Sequence, residues 1–169
     1  MIARHAELCE FILSCIDAVP FLRENLRKTD MIHALDAEAL RSFFDFELTL
    51  GLFVRGGAYE RDASLRGQIE EVELSVVIGG RNLSSDAAAL GAGSEPGCWD
   101  VLEAVRALFS SDGWKNGRGN IRDIEPIRWR MLHAVSGLAI LGLELRIELA
   151  RPLTITNNFE IYGTGYPNK

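Results

Sequence analysis

Leu141-Gly142-Leu143-Glu144-Leu145-Arg146-Ile147-Glu148-Leu149 is the stretch that decides the fold. Its aliphatic side chains fall on every second residue, and glycine or charge fills the positions between, which is the period of a strand and not of a helix. Glu71 to Ile78 reads the same way, with Val72, Leu74, Val76 and Ile78 on one side and Glu71, Glu73, Ser75 and Val77 on the other. So does Glu47 to Val54, through Leu48, Leu50, Leu52 and Val54. A fourth strand is predicted over Ile124 to Leu132, where Ile127, Trp129 and Met131 alternate with Arg128 and Arg130. One apolar and one charged face predict a sheet covered on one side only, its other face meeting water or a polar partner.

Two segments carry the helical period instead. Leu8, Phe11, Ile12, Cys15, Ile16 and Val19 recur at spacings of three and four, opposite Glu7, Glu10, Ser14 and Asp17, and Pro20 marks the exit. The second helix has Pro96 in its first turn and buries Val101, Leu102, Val105, Leu108 and Phe109. Ser110-Ser111-Asp112-Gly113 ends it. Phe21 to His33 shows no firm period, and Asp36 is placed to cap a short helix running through Phe44, with Leu40, Phe43 and Phe44 inward. The predicted class is α/β of the α+β kind: a mainly antiparallel or mixed sheet of about four to five strands, with two main helices packed on one face. Residues 1–150 form one domain in this reading, and residues 151–169 an extension.

Two segments fall outside the regular elements. Arg55 to Gln68 contains Gly56, Gly57 and Gly67 with mixed charge, is long for a hairpin connection, and is predicted to project as a flexible tongue. The stretch from Arg151 to Lys169 has Pro152, Pro167 and paired asparagines, yet it also carries Leu153, Ile155, Phe159, Ile161, Tyr162 and Tyr166. Apolar residues in such a tail are expected to dock on the same domain or on a neighbouring subunit.

Composition narrows the functions. The 169 residues are 47% hydrophobic and 25% charged, the balance of a folded domain. Eighteen basic against 24 acidic side chains give a net charge of −6, which disfavours broad phosphate binding. No apolar run is long enough to span a bilayer and nothing at the start reads as a secretory signal, so an intracellular product without a membrane partner is expected. The three cysteines form no CxxC pair and are expected to be small buried apolar residues, neither a disulfide framework nor a zinc site.

Signals of chemistry are sparse. Gly79-Gly80 follows a strand, but neither GxGxxG nor GxxxxGK[ST] is present, and a strand turning into a surface loop is the simpler reading. His5, His33 and His133 are scattered, with no HExxH, and no GxSxG places a nucleophilic serine. Glu70, Glu71 and Glu73 have the charge to attract a cation but read more simply as a solvated strand face. Arg128-Trp129-Arg130, and Trp114 near Lys115 and Arg118, combine stacking with charge. On an acidic chain that combination points to a protein contact before nucleic acid, because Trp and Arg are enriched at interfaces.

Val76-Val77-Ile78-Gly79-Gly80-Arg81-Asn82-Leu83 resembles the strand ending in Arg-Asn-Leu of a family of Mu-like phage and prophage tail proteins. In that family a small-residue stretch, a Gly-x-x-x-Leu-x-x-x-Arg helix, an Ile-x-Pro-Ile element and a closing amphipathic strand follow. Gly97, Leu102 and Arg106 approximate the helix with one extra residue between glycine and leucine; Ile124-Glu125-Pro126-Ile127 and Leu141 to Leu149 match the rest. The resemblance spans roughly Glu71 to Ala150. It implies a tail terminator, or tail completion protein, located in the virion. Such a protein assembles with itself as a ring, commonly of six subunits, on the tail tube protein, and meets neck or connector proteins and the sheath if the tail is contractile. DNA would pass through the lumen of this acidic ring without tight binding.

No catalytic, cofactor-binding or metal residue is expected from that role, and no enzymatic activity. The contact residues it points to are Arg55, Tyr59, Glu60, Arg61 and Arg66 of the tongue, Arg81 and Asn82 of the signature, Trp114, Arg128 and Arg130, and Phe159, Ile161, Tyr162 and Tyr166 of the tail. The alternatives are a neck or head–tail connector component or, in a different class, a small nucleotide- or metal-binding domain using the loop from Gly79 to Gly93.

Overall fold

Fifteen consecutive pairs join β3 (Gly67–Arg81) to β5 (Leu138–Pro152), from Gly67 opposite Pro152 to Arg81 opposite Leu138, without a register break. Val72 faces Ile147, Leu74 faces Leu145, Val76 faces Leu143 and Ile78 faces Leu141, and all eight are buried. A slip of one residue would turn the whole apolar set to the other face, so burial itself fixes the register.

In this computed structural model residues 4–32, 38, 40, 43–44, 47–62, 67–82, 84–116, 119–135 and 137–152 are described. The order is α1 (His5–Asp17), α2 (Pro20–Asn25), β1 (Lys28–Met31), β2 (Leu48–Asp62), β3, α3 (Ser85–Leu90), α4 (Cys98–Ser110), a 3-10 turn at Gly113–Lys115, β4 (Ile121–Val135) and β5. The strands form one mixed sheet in the order β1-β2-β3-β5-β4, with β1 parallel to β2 and the other pairs antiparallel. The architecture is the α+β class read from the sequence, with α1 and α4 as the two main helices. Leu8, Cys9, Ile12 and Ile16 of α1 and Cys98, Val101, Leu102, Val105 and Phe109 of α4 share one core with the aliphatic face of the sheet. Gly137, at φ 78°, turns the chain between β4 and β5.

Several expectations are corrected. The predicted tongue is strand over its described residues: β2 continues to Asp62 and β3 begins at Gly67, paired from Asp62 opposite Gly67 inward, with β5 as a third strand along the far side of β3. The sheet is not bare on its second face. Ile32, Phe43, Phe44, Val77, Leu138 and Ile140 form a smaller core there, joined by half-buried Leu40 and Phe53. Pro96 precedes α4 instead of lying in its first turn; Gly97 is the N-cap, and its N–H donates to Asp100 Oδ2 at 2.9 Å. The unassigned Phe21 to His33 region holds most of α2 and all of β1. Most of the segment from Asp36 to Phe44, and the tail from Leu153, lie outside the described residues.

The cysteines behave largely as expected. Cys9 and Cys98 are buried and Cys15 half-buried, and all three are free thiols. Burial pushes the Cys9 thiol up to about 11 and the Cys98 thiol up to about 12, leaving both unreactive at neutral pH.

Close approach explains Gly79. A Cβ there would sit 2.1 Å from Cδ1 of the Phe44 ring. Gly79→Ala is therefore expected to destabilise the fold by about 1–3 kcal/mol in chemical denaturation, through overpacking. Phe44→Leu, by removing the clashing ring, should make the same glycine substitution less costly in a double-mutant cycle.

Candidate functional site: the outer sheet face and its edges

Glu144 organises the second sheet face. It sits in the middle of β5, opposite Ser75 on one side and Arg128 on the other, and is 7% exposed. Three arginines reach it: Arg55 Nη1 donates to Oε1 at 2.7 Å, Arg128 Nε to Oε2 at 2.6 Å, and Arg130 Nη2 lies 2.8 Å from Oε1. Each comes from a position the backbone has prepared. The break in register between Val54 and Gly56 leaves Arg55 as an extra residue, re-aimed across β3. Ser75, the small residue between them, leaves the path open. The cluster leaves more positive than negative charge on a face whose arginines are partly open to water.

Further along the same face the sign reverses. Glu71, Glu148 and Asp123 stand opposite one another across β3, β5 and β4, and the next row holds Glu73, Arg146 and Glu125, with Arg146 paired to Glu125. The hydrogen bond and charge of Glu125, with help from Glu71 and Glu148, raise the Arg146 pKa further above its ordinary value.

Glu70 is separated from Glu71 and Glu73 by the strand period and points to the helical face, 2% exposed. Its carboxylate accepts from Arg151 Nε at 2.6 Å and lies 2.9 Å from His5 Nε2. Burial raises its pKa, but the bonds from His5, Arg151 and Tyr59 outweigh that and hold it below the usual carboxylate range. The predicted acidic cluster is thus two sites on opposite faces. Among the described residues, no group of three His, Cys, Asp or Glu is arranged to hold a metal ion.

β4 is an edge strand, and its outer side is unpaired among the described residues. Register breaks against β5 leave Arg122, Ile127 and Leu132 as extra residues, so the strand coils more tightly than its partner. Ile127, Trp129, Met131 and Leu132 are exposed large apolar side chains, with Trp129 at 51%. Trp129 meets Trp99 of α4 edge-on, ring centroids 4.4 Å apart. Ile127 leaves the predicted alternation because of its bulge. On the opposite side of the sheet β1 pairs only with Thr49 to Leu52, and β2 runs on to Asp62 with its outer side open among the described residues.

The remaining sequence-derived residues fall in different places. Tyr59 is 64% exposed on the β2–β3 ribbon; the hydrogen bond its hydroxyl donates to Glu70 is the main cause of its raised pKa. Glu60 is exposed beside it, and Arg61 occupies a strand position opposite Gln68. Arg81 donates from its backbone N–H to Glu47 O at 2.9 Å and from Nε to Phe44 O at 3.0 Å, and the Asn82 N–H donates to Gly137 O at 2.8 Å. These bonds tie the end of β3 to its surroundings. Trp114 is 2% exposed and belongs to the core, so it is not at the surface as anticipated. Arg66, Phe159, Ile161, Tyr162 and Tyr166 lie outside the described residues.

A cleft of about 480 Å³ lies at this same end, between Glu24, Arg27, Glu47, Arg81, Glu95 and neighbouring residues. Its walls mix both charges. Gly79 and Gly80 beneath it are taken up by contacts with Phe44 and Cys98, and the first turn of α3 is capped by Ser84 Oγ accepting from Ala87 N–H at 3.1 Å. The sequence pointed to Arg55, Arg128 and Arg130 but missed Glu144 as their shared partner; the available signal was a glutamate at the middle of the charged face of the strand from Leu141 to Leu149.

No family model matches the chain, and no curated protein is similar to it. Among the described residues no helix is long and apolar enough to cross a membrane.

The Glu70 site yields a pH prediction. Its folded pKa is depressed, so its stabilisation is fully present above the unfolded carboxylate value and is lost as pH falls through the folded value. Glu70→Gln should cost about 1.5–3 kcal/mol at neutral pH, the range of hydrogen bonds to a charged group. It should also flatten the decline of melting temperature as pH is lowered from about 5 to about 3. An unchanged acid profile would remove Glu70 from this role.

Proposed function

We propose that this chain is a structural, non-enzymatic virion protein that terminates a phage tail. It assembles with copies of itself into a ring, on the pattern of six subunits, caps the tail tube and presents a surface to the neck and head. The observation that carries the reading is a sheet open on both of its edges among the described residues, one edge being a fifteen-residue strand with exposed Trp129 and Met131. Two different open edges on opposite sides of one sheet favour head-to-tail contacts, which close into a ring when the rotation per subunit divides the circle. An open edge left uncovered is an aggregation hazard, and assembly covers it. The Arg-Asn-Leu strand end and the motifs that follow it in order supply the phage-tail part of the reading.

Net charge supports the same role. A lumen built from chains of net charge −6 lets DNA pass without holding it. Arg55, Arg128 and Arg130, the arginines of the outer sheet face, are engaged with Glu144.

Electron microscopy of particles produced without this chain tests the proposal: tubes of uncontrolled length or tails without heads are the expected result. Tails of normal length with full head attachment would contradict it. Within the same reading, deletion of residues 154–169 should leave a folded monomer, with an unchanged circular-dichroism spectrum, while weakening assembly in sedimentation. Failure of that truncated chain to fold would place the segment in its own core.

A further inference from the structure

We propose that the outer sheet face pairs two copies of this chain, the arginine end of one seated on the acidic end of the other. The contact goes beyond ring closure, which uses the sheet edges, and does not depend on it.

The face carries two charged ends that its own strands leave unmatched. At one end three arginines share the single carboxylate of Glu144, an excess of positive charge. Arg55 and Arg128 each spend one N–H on that carboxylate, out of the five a guanidinium carries, and the Arg128 and Arg130 side chains stay 60% and 50% exposed. At the other end Glu71, Glu148 and Asp123 stand level across three strands, where like charges directly opposite one another are unfavourable. None of these three forms an ion pair among the described residues. Arg146 stands between the two ends but is paired to Glu125.

Distance keeps the two ends from satisfying each other. Glu148 lies four residues beyond Glu144 along β5, about 13 Å at the rise of a strand. That exceeds the span of an ion pair and the screening length of about 8 Å at physiological salt. The segment after Pro152 has one acid and one base, Glu160 and Lys169, too few to neutralise either end.

The signs select the occupant. Nucleic acid, or a wholly acidic peptide, suits the arginine end and is repelled by the acidic one. A matching partner carries both signs at this spacing, and the face itself has that pattern. A two-fold axis lying across the strands at Arg146 brings the acidic row of a second copy over the arginines and its arginines over the acidic row, so one contact is made twice. Arg128 and Asp123, both exposed on β4, then face each other in both senses. The middle row meets its own copy at the axis, where Arg146 and Glu125 already offset each other and exposed Glu73 is screened by water.

Sedimentation velocity of the full chain tests the pairing. The wild-type pair should dissociate as salt is raised, because exposed charges hold it. Arg128→Glu and Asp123→Lys each set like charges face to face twice per pair, and each should weaken pairing about tenfold or more. An equimolar mixture of the two variants restores opposite charges at both contacts and should pair as wild type does. Arg128→Gln removes the charge without placing a second carboxylate beside Glu144; it keeps the test open if Arg128→Glu fails to fold, with a smaller loss expected. Variants that pair like wild type, or a mixture of folded variants that does not recover, would overturn the face contact and leave ring closure through the edges standing. A wild-type chain that stays monomeric at every concentration in low salt would also overturn it, while ring closure on the tube is judged by microscopy of particles made without this chain.

Discussion

The unbroken pairing of β3 with β5 is the constraint on which the rest of the molecule depends. Because Val72, Leu74, Val76 and Ile78 must meet Ile147, Leu145, Leu143 and Leu141 on one side, the residues between them are forced onto the other. That single register produces the helical core and, on the opposite face, puts Glu144 level with Ser75, while the bulged pairing of β4 with β5 brings Arg128 to its other side. It also sets Glu70 among the core residues, where its charge is tolerated because Arg151 and His5 meet it. Each of these charged groups is buried with partners, which is the condition for a carboxylate to survive in an apolar setting.

The strong strand period made much of this legible in the sequence. Leu141 to Leu149 and Glu71 to Ile78 state their pairing faces directly, and α1 and α4 announce themselves through spacings of three and four. What was not legible depended on a third element. Residues 55–62 look like a glycine-rich loop when read alone, and become strand because β3 is held from its far side by β5. Val77 and Gly79 look like the solvent side of a strand, and are buried because Phe44 arrives from a segment with weak local signal. The bulges in β4 that displace Ile127 and Leu132 arise from mismatch with β5, which no local window contains.

The candidate surface shows the same division. Arg128 and Arg130 were visible as charges beside Trp129, and Arg55 as a charge in a glycine-rich segment, but their convergence on Glu144 needs the bulge at Arg55 and the small Ser75 between. With that carboxylate in place, the arginines shape a face and are less available to grip phosphate. The exposure of Trp129 gains meaning only from the position of β4 at the sheet edge. Trp114 and Trp129 each stand beside basic residues in the sequence, and it is the fold that makes the first a core residue and leaves the second exposed.

On the proposed function, the two unlike sheet edges, open among the described residues, are covered by other protein in the assembly. A reconstruction of the assembled phage particle at side-chain detail around this chain measures that directly. It should find identical copies arranged about the tail axis at the end of the tube, with β4 of each copy buried against its neighbour. Copies whose β4 edge faces open solvent throughout the particle, or a particle from which the chain is absent, would contradict the account.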